Sequence, residues 1–216
     1  MKRLLIVCEG PTEQEFCNTV LAPEFIKHDI IIGAPVIKHS QGGIAPWPVL
    51  KKQLINHLYE SDLYVSMLID YYGIKKHFNF PGWKESLDIE DKNERMHFLF
   101  LKMKEEFPAQ LQSRFIPYIQ LHEFEGLLFS DITVIQENFT TEEVDINALQ
   151  NAVNQSINPE MINNHPNTAP SKRLVKAING YEKVLYGNFL AMSIGLEKIK
   201  EKCPLFNEWI NKLLTI

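Results

Sequence analysis

The chain has 216 residues, 45% of them hydrophobic and 23% charged, with a formal net charge of −5. This is an ordinary globular composition, long enough to bury a sizeable core. The negative balance argues against a surface coated in phosphate-binding Lys and Arg, though it leaves room for a local basic patch, and no apolar run approaches the length of a membrane span.

Arg3 to Cys8 is a short continuous apolar run, the pattern of a central parallel strand, and Glu9-Gly10-Pro11 breaks it. Met1-Lys2-Arg3 before it is too close to Glu9 to be the start of a signal peptide. Thr12-Glu13-Gln14-Glu15 has the form of a capping box, with Thr12 as N-cap and Glu15 reaching back. Phe16, Val20, Leu21 and Phe25 extend the apolar side of that helix, and Pro23 is expected to bend or end it. Ile30-Ile31-Ile32 and Val36-Ile37 suggest a second strand, interrupted by Gly33 and Pro35. His39-Ser40-Gln41-Gly42-Gly43 reads as a polar, glycine-rich loop. A helix is predicted from Pro46, with Leu50, Leu54 and Leu58 on one stripe. Leu63 to Ile69 is the next buried strand and ends at Asp70. Tyr71 to Ile89 is loop-like.

Met96, Phe100, Met103 and Phe107 repeat at helical spacing until Pro108, as core residues do. Phe115 to Leu121 reads as a strand that opens onto His122-Glu123-Phe124-Glu125-Gly126-Leu127-Leu128-Phe129-Ser130-Asp131, a strand–helix junction. Beyond Asp131 the pattern is helical. Ile146, Leu149 and Val153 share a stripe, Pro159 to Pro170 is rich in Asn and Pro, and Ser171 to Ile178 is a helix. Leu205, Phe206, Trp209, Ile210, Leu213 and Leu214 make an amphipathic terminal helix that Pro204 starts. Strands and helices alternate and then only helices follow. That order predicts an α/β fold with a mostly parallel sheet flanked by helices and right-handed crossovers. Residues 1–135 would form the core, and residues 136–216 a helical C-terminal extension packed on it. Cys8, Cys17 and Cys203 are odd in number and form no C-x-x-C pair, which fits buried free thiols in a reducing cytoplasm.

Three strand ends finish in acids: Glu9, Asp70 and the pair Glu123 and Glu125. In open α/β sheets ligands bind at the carboxyl ends of the strands. Carboxylates converging there suit a hard divalent cation, Mg2+ or Mn2+, which takes oxygen ligands, and their repulsion makes the site demand one. Each acid alone could equally be solvated or start a helix; Glu13 and Glu125 would favour a helix N-terminus through its dipole. His122 is more often a structural hydrogen-bonder than a ligand. Pro170-Ser171-Lys172-Arg173-Leu174 is the second signal. Basic residues in a first helical turn oppose the dipole unless an anion sits there, so Ser171, Lys172 and Arg173 are phosphate-binding candidates, set against the reading of an exposed basic pair. Tyr71 and Tyr72 beside a strand end fit packing and hydrogen bonding better than covalent catalysis.

The segments Cys8-Glu9-Gly10-Pro11-Thr12-Glu13, Leu68-Ile69-Asp70-Tyr71-Tyr72-Gly73, Leu121 to Asp131, Ala169-Pro170-Ser171-Lys172-Arg173-Leu174 and Ile194-Gly195-Leu196 resemble, in order, those of the bacterial family DUF4276. That family is regarded as Toprim-like, and its members are often encoded beside ATPases in apparent phage-defence cassettes. The resemblance implies a Toprim-like fold, in which Glu9 matches the Glu after the first strand and Asp70 the first Asp of Asp-x-Asp. Tyr72 stands where the second Asp would be, and Glu123 or Glu125 is our substitute for it. The expectation is a cytoplasmic Mg2+- or Mn2+-dependent nuclease acting on DNA or RNA, with an ATPase partner and no membrane. Glu9, Asp70 and Lys172 would be catalytic, Glu9, Asp70, Glu123 and Glu125 would hold metal, and Glu13 and His122 would stand behind them. The alternative is a non-catalytic subunit that binds an ATPase or nucleic acid.

Overall fold

The computed structural model describes residues 1–38, 43–163 and 165–216, so most of the glycine-rich loop, His39 to Gly42, lies outside the described residues. In chain order the elements are β1 (Lys2–Cys8), α1 (Pro11–Phe16), α2 (Ala22–Phe25), β2 (Ile30–Gly33), α3 (Trp47–Leu58), β3 (Leu63–Leu68), α4 (Trp83–Ser86), α5 (Lys92–Glu105), α6 (Ala109–Gln112) and β4 (Phe115–Ile116). Helices α7 (Ile132–Asn138), α8 (Ile146–Asn154), α9 (Pro170–Ala177), α10 (Lys183–Ile194), α11 (Leu196–Lys202) and α12 (Pro204–Leu214) complete the chain. The fold is α/β, as the pattern predicts. Among the described residues the sheet has four parallel strands in the order β2-β1-β3-β4, with a helical C-terminal region.

The apolar runs of β1 and β3 lie in the middle of the sheet because both of their faces are covered. Their register pairs Cys8 with Leu68. Glu9, one residue past Cys8, and Asp70, two past Leu68, therefore leave the sheet close together at its carboxyl end. The Glu9 N–H donates to the Leu68 carbonyl at 3.0 Å, and Asp70 forms an isolated parallel bridge with Gln120.

Three local expectations are corrected. The helix after β1 is capped two residues earlier than the Thr12–Glu15 reading. Gly10 is the N-cap, Pro11 fills the first helical position, and the Glu13 carboxylate accepts from the Gly10 N–H at 2.9 Å, while Glu15 is exposed. Proline at the first position wastes no N–H, which shifts the frame. Pro23 does not end the helix. The turn before it, Cys17–Leu21, is π-helical with the Ala22 N–H bonded to the Cys17 carbonyl, so the missing N–H of Pro23 falls at the start of a new α segment. The strand expected over Phe115 to Leu121 shrinks to Phe115–Ile116. Pro117 has no N–H to give the ladder, and pairing resumes only at Gln120.

The junction after it is a buried 3-10 stretch, Phe124–Ser130, which leads into α7, where the Asp131 carboxylate accepts from the Thr133 N–H. The C-terminal helices share one core with the sheet. Trp209 of α12 stacks on Tyr118 with ring centroids 4.3 Å apart and donates from Nε1 to Ser66 Oγ of β3 at 2.9 Å. Such a pair contributes about 0.5–1.5 kcal/mol beyond the area it buries. Helix α10, absent from the sequence reading, is apolar nearly all round. It buries Leu190, Ala191 and Ile194 yet exposes Leu185, Phe189 and Met192. It packs along α1, where Asn188 Nδ2 donates to the Thr12 carbonyl, and it thereby brings its first turn to the carboxyl end of the sheet.

Candidate active site

The end of β1, the end of β3 and the start of the 3-10 stretch are tied by carboxylate-to-backbone bonds. Glu9 Oε2 accepts from the Asp70 N–H at 2.8 Å, and Asp70 Oδ1 accepts from the Phe124 N–H at 2.8 Å. Each bond spans elements far apart in sequence, so each acid orients its neighbour's backbone as well as itself. Gly73 lies over Glu9 so closely that a Cβ there would stand 3.0 Å from Glu9 Oε1 and 2.7 Å from Ile44. Any other residue would have to displace the end of the Ile44 side chain or the Glu9 carboxylate.

Two more carboxylates complete the cluster. Glu13 is buried at the start of α1, with Oε2 held by the Gly10 N–H. Glu125 is 0% exposed, and its Oε1 lies 3.1 Å from Lys183 Nζ. Its Oε2 has no donor among the described residues. Lys183 is the functional residue that the sequence reading missed. It stands in the first turn of α10, where a cation opposes the helix dipole. The same signal singled out Lys172, but it applies to Lys183 only once the structure shows that a helix begins there.

The electrostatics follow from four carboxylates meeting one ammonium. Burial pushes Glu9 up to about 7; its bond from the Asp70 N–H opposes that, and the charges of Glu13 and Glu125 reinforce it. Asp70 is driven well above the usual carboxylate range by burial first and then by Glu9 and Glu13. Glu13 and Glu125 are raised chiefly by burial, with Lys183 pulling against it. Burial pulls Lys183 down, but Glu125, Asp70 and Glu13 together outweigh it and hold the lysine above its ordinary range. The group thus retains protons in place of the missing positive charge.

The other expected site residues are arranged around this cluster. Glu123 turns away from it toward α9, where its Oε2 accepts from the Ser171 N–H at 2.9 Å. The anion at that helix N-terminus is therefore a carboxylate of the chain itself. Arg173 donates from Nε to the Thr168 carbonyl, and Lys172 is exposed. Both line a separate depression of about 230 Å³ with Asp145, Asn167 and Lys176. His122 is buried in a left-handed conformation, φ 64°, with its Nε2 3.1 Å from Lys92 Nζ and its ring 5.1 Å from that of Tyr72. Burial, then the Lys92 charge, lowers it to about 4, so it is neutral at pH 7. Tyr72 accepts a hydrogen bond from Asn163 Nδ2 at its hydroxyl. Glu9, Asp70, Glu13 and Glu125 are thus brought together, whereas Glu123, His122, Lys172 and Arg173 lie at the rim or beyond it.

The donor set is all oxygen, the chemistry of a hard divalent cation. Among the described residues no three His, Cys, Asp or Glu side chains form a ready-made metal cage. Magnesium does not require one, because it is commonly held by one or two carboxylates, with water and substrate phosphate completing the shell. Glu9 Oε1, Asp70 Oδ2 and Glu125 Oε2 take no hydrogen bond from the described residues and fit that role.

These features define an α/β protein with a buried carboxylate–lysine cluster at the carboxyl end of a parallel sheet. The chain belongs to the DUF4276 family, described as a domain of unknown function, whose model matches residues 8–214. No curated protein and no solved structure matches it. Among the described residues no helix is long and apolar enough to cross a membrane.

Proposed function

We propose that the strand-end cluster is the active site of a Toprim-like, Mg2+- or Mn2+-dependent phosphodiesterase that cleaves DNA or RNA in the cytoplasm. The observation that carries this reading is the excess of buried carboxylates over cations where two parallel strands end, with oxygens left without donors. When bound, the divalent cation would activate water and neutralise charge on the scissile phosphate. Glu9 and Asp70 would hold it, with Glu125 behind them. Glu123, now bonded to Ser171, would join only by exchanging that bond. Glu9, titrating at about 7, is also suited to moving a proton at Oε1, which takes no hydrogen bond from the described residues. Glu13 and His122 would position the first turn of α1 and the Tyr72 wall. The side chains of Lys172 and Arg173, next to Ser171, would track the nucleic-acid backbone, and an ATPase partner would place the protein in phage defence.

The test is incubation of the purified protein with plasmid, linear duplex, single-stranded DNA and RNA in millimolar Mn2+ or Mg2+, with and without a neighbouring ATPase. Cleavage is expected, lost by at least about a hundredfold in Asp70→Asn, since even outer-shell partners of a metal site cost 10–100-fold. Replacing Lys172 and Arg173 together should flatten the salt dependence of binding by about two phosphate contacts. No cleavage of any substrate under any of these conditions ends the nuclease reading.

A second reading, a non-catalytic subunit that binds an ATPase or nucleic acid, is favoured by one observation. Tyr72 supplies no carboxylate at its position and its hydroxyl is engaged by Asn163. Calorimetry with Mn2+ separates the two, because the non-catalytic subunit binds no ion at Glu9.

A further inference from the structure

We propose that Lys183 is the built-in counter-ion of the carboxylate cluster and that a divalent cation of the magnesium or manganese class displaces it. This rests on the reading of the cluster as a metal site and adds the residue that sets its affinity.

Three observations on different residues carry the inference. Glu125 is 0% exposed, and of its two oxygens only Oε1 has a partner among the described residues, Lys183 Nζ at 3.1 Å. A buried carboxylate oxygen without a donor is costly, so the site is built for a cation with more coordinating reach than one ammonium. Lys183 itself is poorly placed for a permanent structural role. Its side chain is 46% exposed, rooted at the rim, and it stands in the first turn of α10, against the helix dipole. A four-carbon stem from such a root lets the ammonium withdraw to water without moving the helix. Finally, the same carboxylates that attract Lys183, namely Glu125, Asp70 and Glu13, include the group that would bind the ion. Two cations a few ångströms apart repel, so lysine and metal exclude one another. Lys183 then acts as a threshold: it steadies the carboxylates at low metal and yields when the divalent ion is abundant. It is a positioning residue in this role, and no bond to substrate is needed.

The experiment is a calorimetric titration of the full chain with Mn2+, comparing the parent with Lys183→Met and Lys183→Arg, each first shown to be folded by circular dichroism. Lys183→Met is expected to bind Mn2+ about tenfold more tightly, the effect of removing one electrostatic competitor worth about one pK unit. Lys183→Arg keeps the charge and should bind no more tightly than the parent. A second readout needs no variant. Amine acylation of the parent, followed by peptide mass spectrometry, should label Lys183 several-fold faster in Mn2+ than in chelator, with Lys172 as the unchanged reference. If the parent binds Mn2+ but Lys183→Met binds equally or more weakly and the labelling rate does not change, competition is overturned while the metal site stands. If none of the three folded proteins binds Mn2+, the metal reading falls and this inference with it. Should Lys183→Met fail to fold, the labelling of the parent decides the matter.

Discussion

Two regions of this molecule bury carboxylates, and they are wired in opposite ways. Glu160, 2% exposed, lies under the N-terminus of α12, and its two oxygens accept from the Leu205 and Phe206 N–H groups at 2.9 and 3.0 Å. Burial pushes it up to about 7 against those two bonds. Glu9 in the strand-end cluster also titrates at about 7. The two acids share a pKa near 7 although Glu9 is only half-buried, so a raised pKa by itself does not distinguish structural from functional. Hydrogen-bond saturation does: Glu160 has a donor for each oxygen and caps a helix, whereas among the described residues the cluster holds four acids to one lysine and leaves oxygens unmet. A saturated acid is part of the scaffold. An unsaturated one is available to a ligand.

That distinction can be broken most severely at Glu160. Glu160→Ala strands two buried N–H groups at the start of a core helix, which should cost about 3 kcal/mol or more in urea unfolding. Mn2+ should not change that loss. A cost below about 1 kcal/mol would mean that saturation is not what holds this acid in place.

The pH dependence is next in size. Glu9 rises from 4.5 in the unfolded chain to about 7 in the folded one, so the folded state holds a proton that the unfolded state has released. Stability contributed by that proton is fully present below about 4.5 and is lost as pH rises through about 7. Glu160, raised from 4.5 to about 7, behaves likewise. In chelator, unfolding free energy should fall by roughly 2 kcal/mol for each of the two acids between pH 5 and 7.5. Millimolar Mn2+ should remove the share of the slope that belongs to the cluster and leave the share of Glu160. A flat profile in chelator would show that both acids titrate normally.

The smallest effect is the sharpest. Asp70→Asn keeps an oxygen for the Phe124 N–H while removing an ionisable carboxyl from the cluster. In chelator the variant should be as stable as the parent or more so, by up to about 1 kcal/mol, because like charges near partly screened groups repel by roughly that amount. In Mn2+ the order should reverse, because a ligand at a hundredfold excess over its Kd adds about 2.7 kcal/mol to a protein that binds it only when folded. Glu15→Gln, exposed and outside the cap, should stay within about 0.5 kcal/mol in either condition. Strong destabilisation of Asp70→Asn in chelator, with the Mn2+ shift intact, would place Asp70 with Glu160 among the saturated acids.

The sequence by itself determined the framework on which these acids sit. The runs Arg3 to Cys8 and Leu63 to Ile69 are short, continuously apolar and ended by Glu9 and Asp70, and local composition of that kind specifies a buried parallel strand wherever it lies in the chain. The terminal helix was legible for the same reason, since Trp209 and its neighbours repeat at helical spacing. What the sequence concealed are pairings between groups remote along the chain. Helix α10, apolar on nearly every side, carries no periodic stripe to read, and so Lys183 was invisible as the partner of Glu125. Glu123 and Ser171 each pointed to an external ligand when taken separately, yet the fold bonds them to each other. Glu160 drew no notice, because an acid in an Asn- and Pro-rich segment reads as surface until α12 is laid over it. Apolar periodicity is a local property and survives in one dimension. The partner of a buried charge is chosen by tertiary packing, because only proximity in three dimensions decides which donor reaches which oxygen.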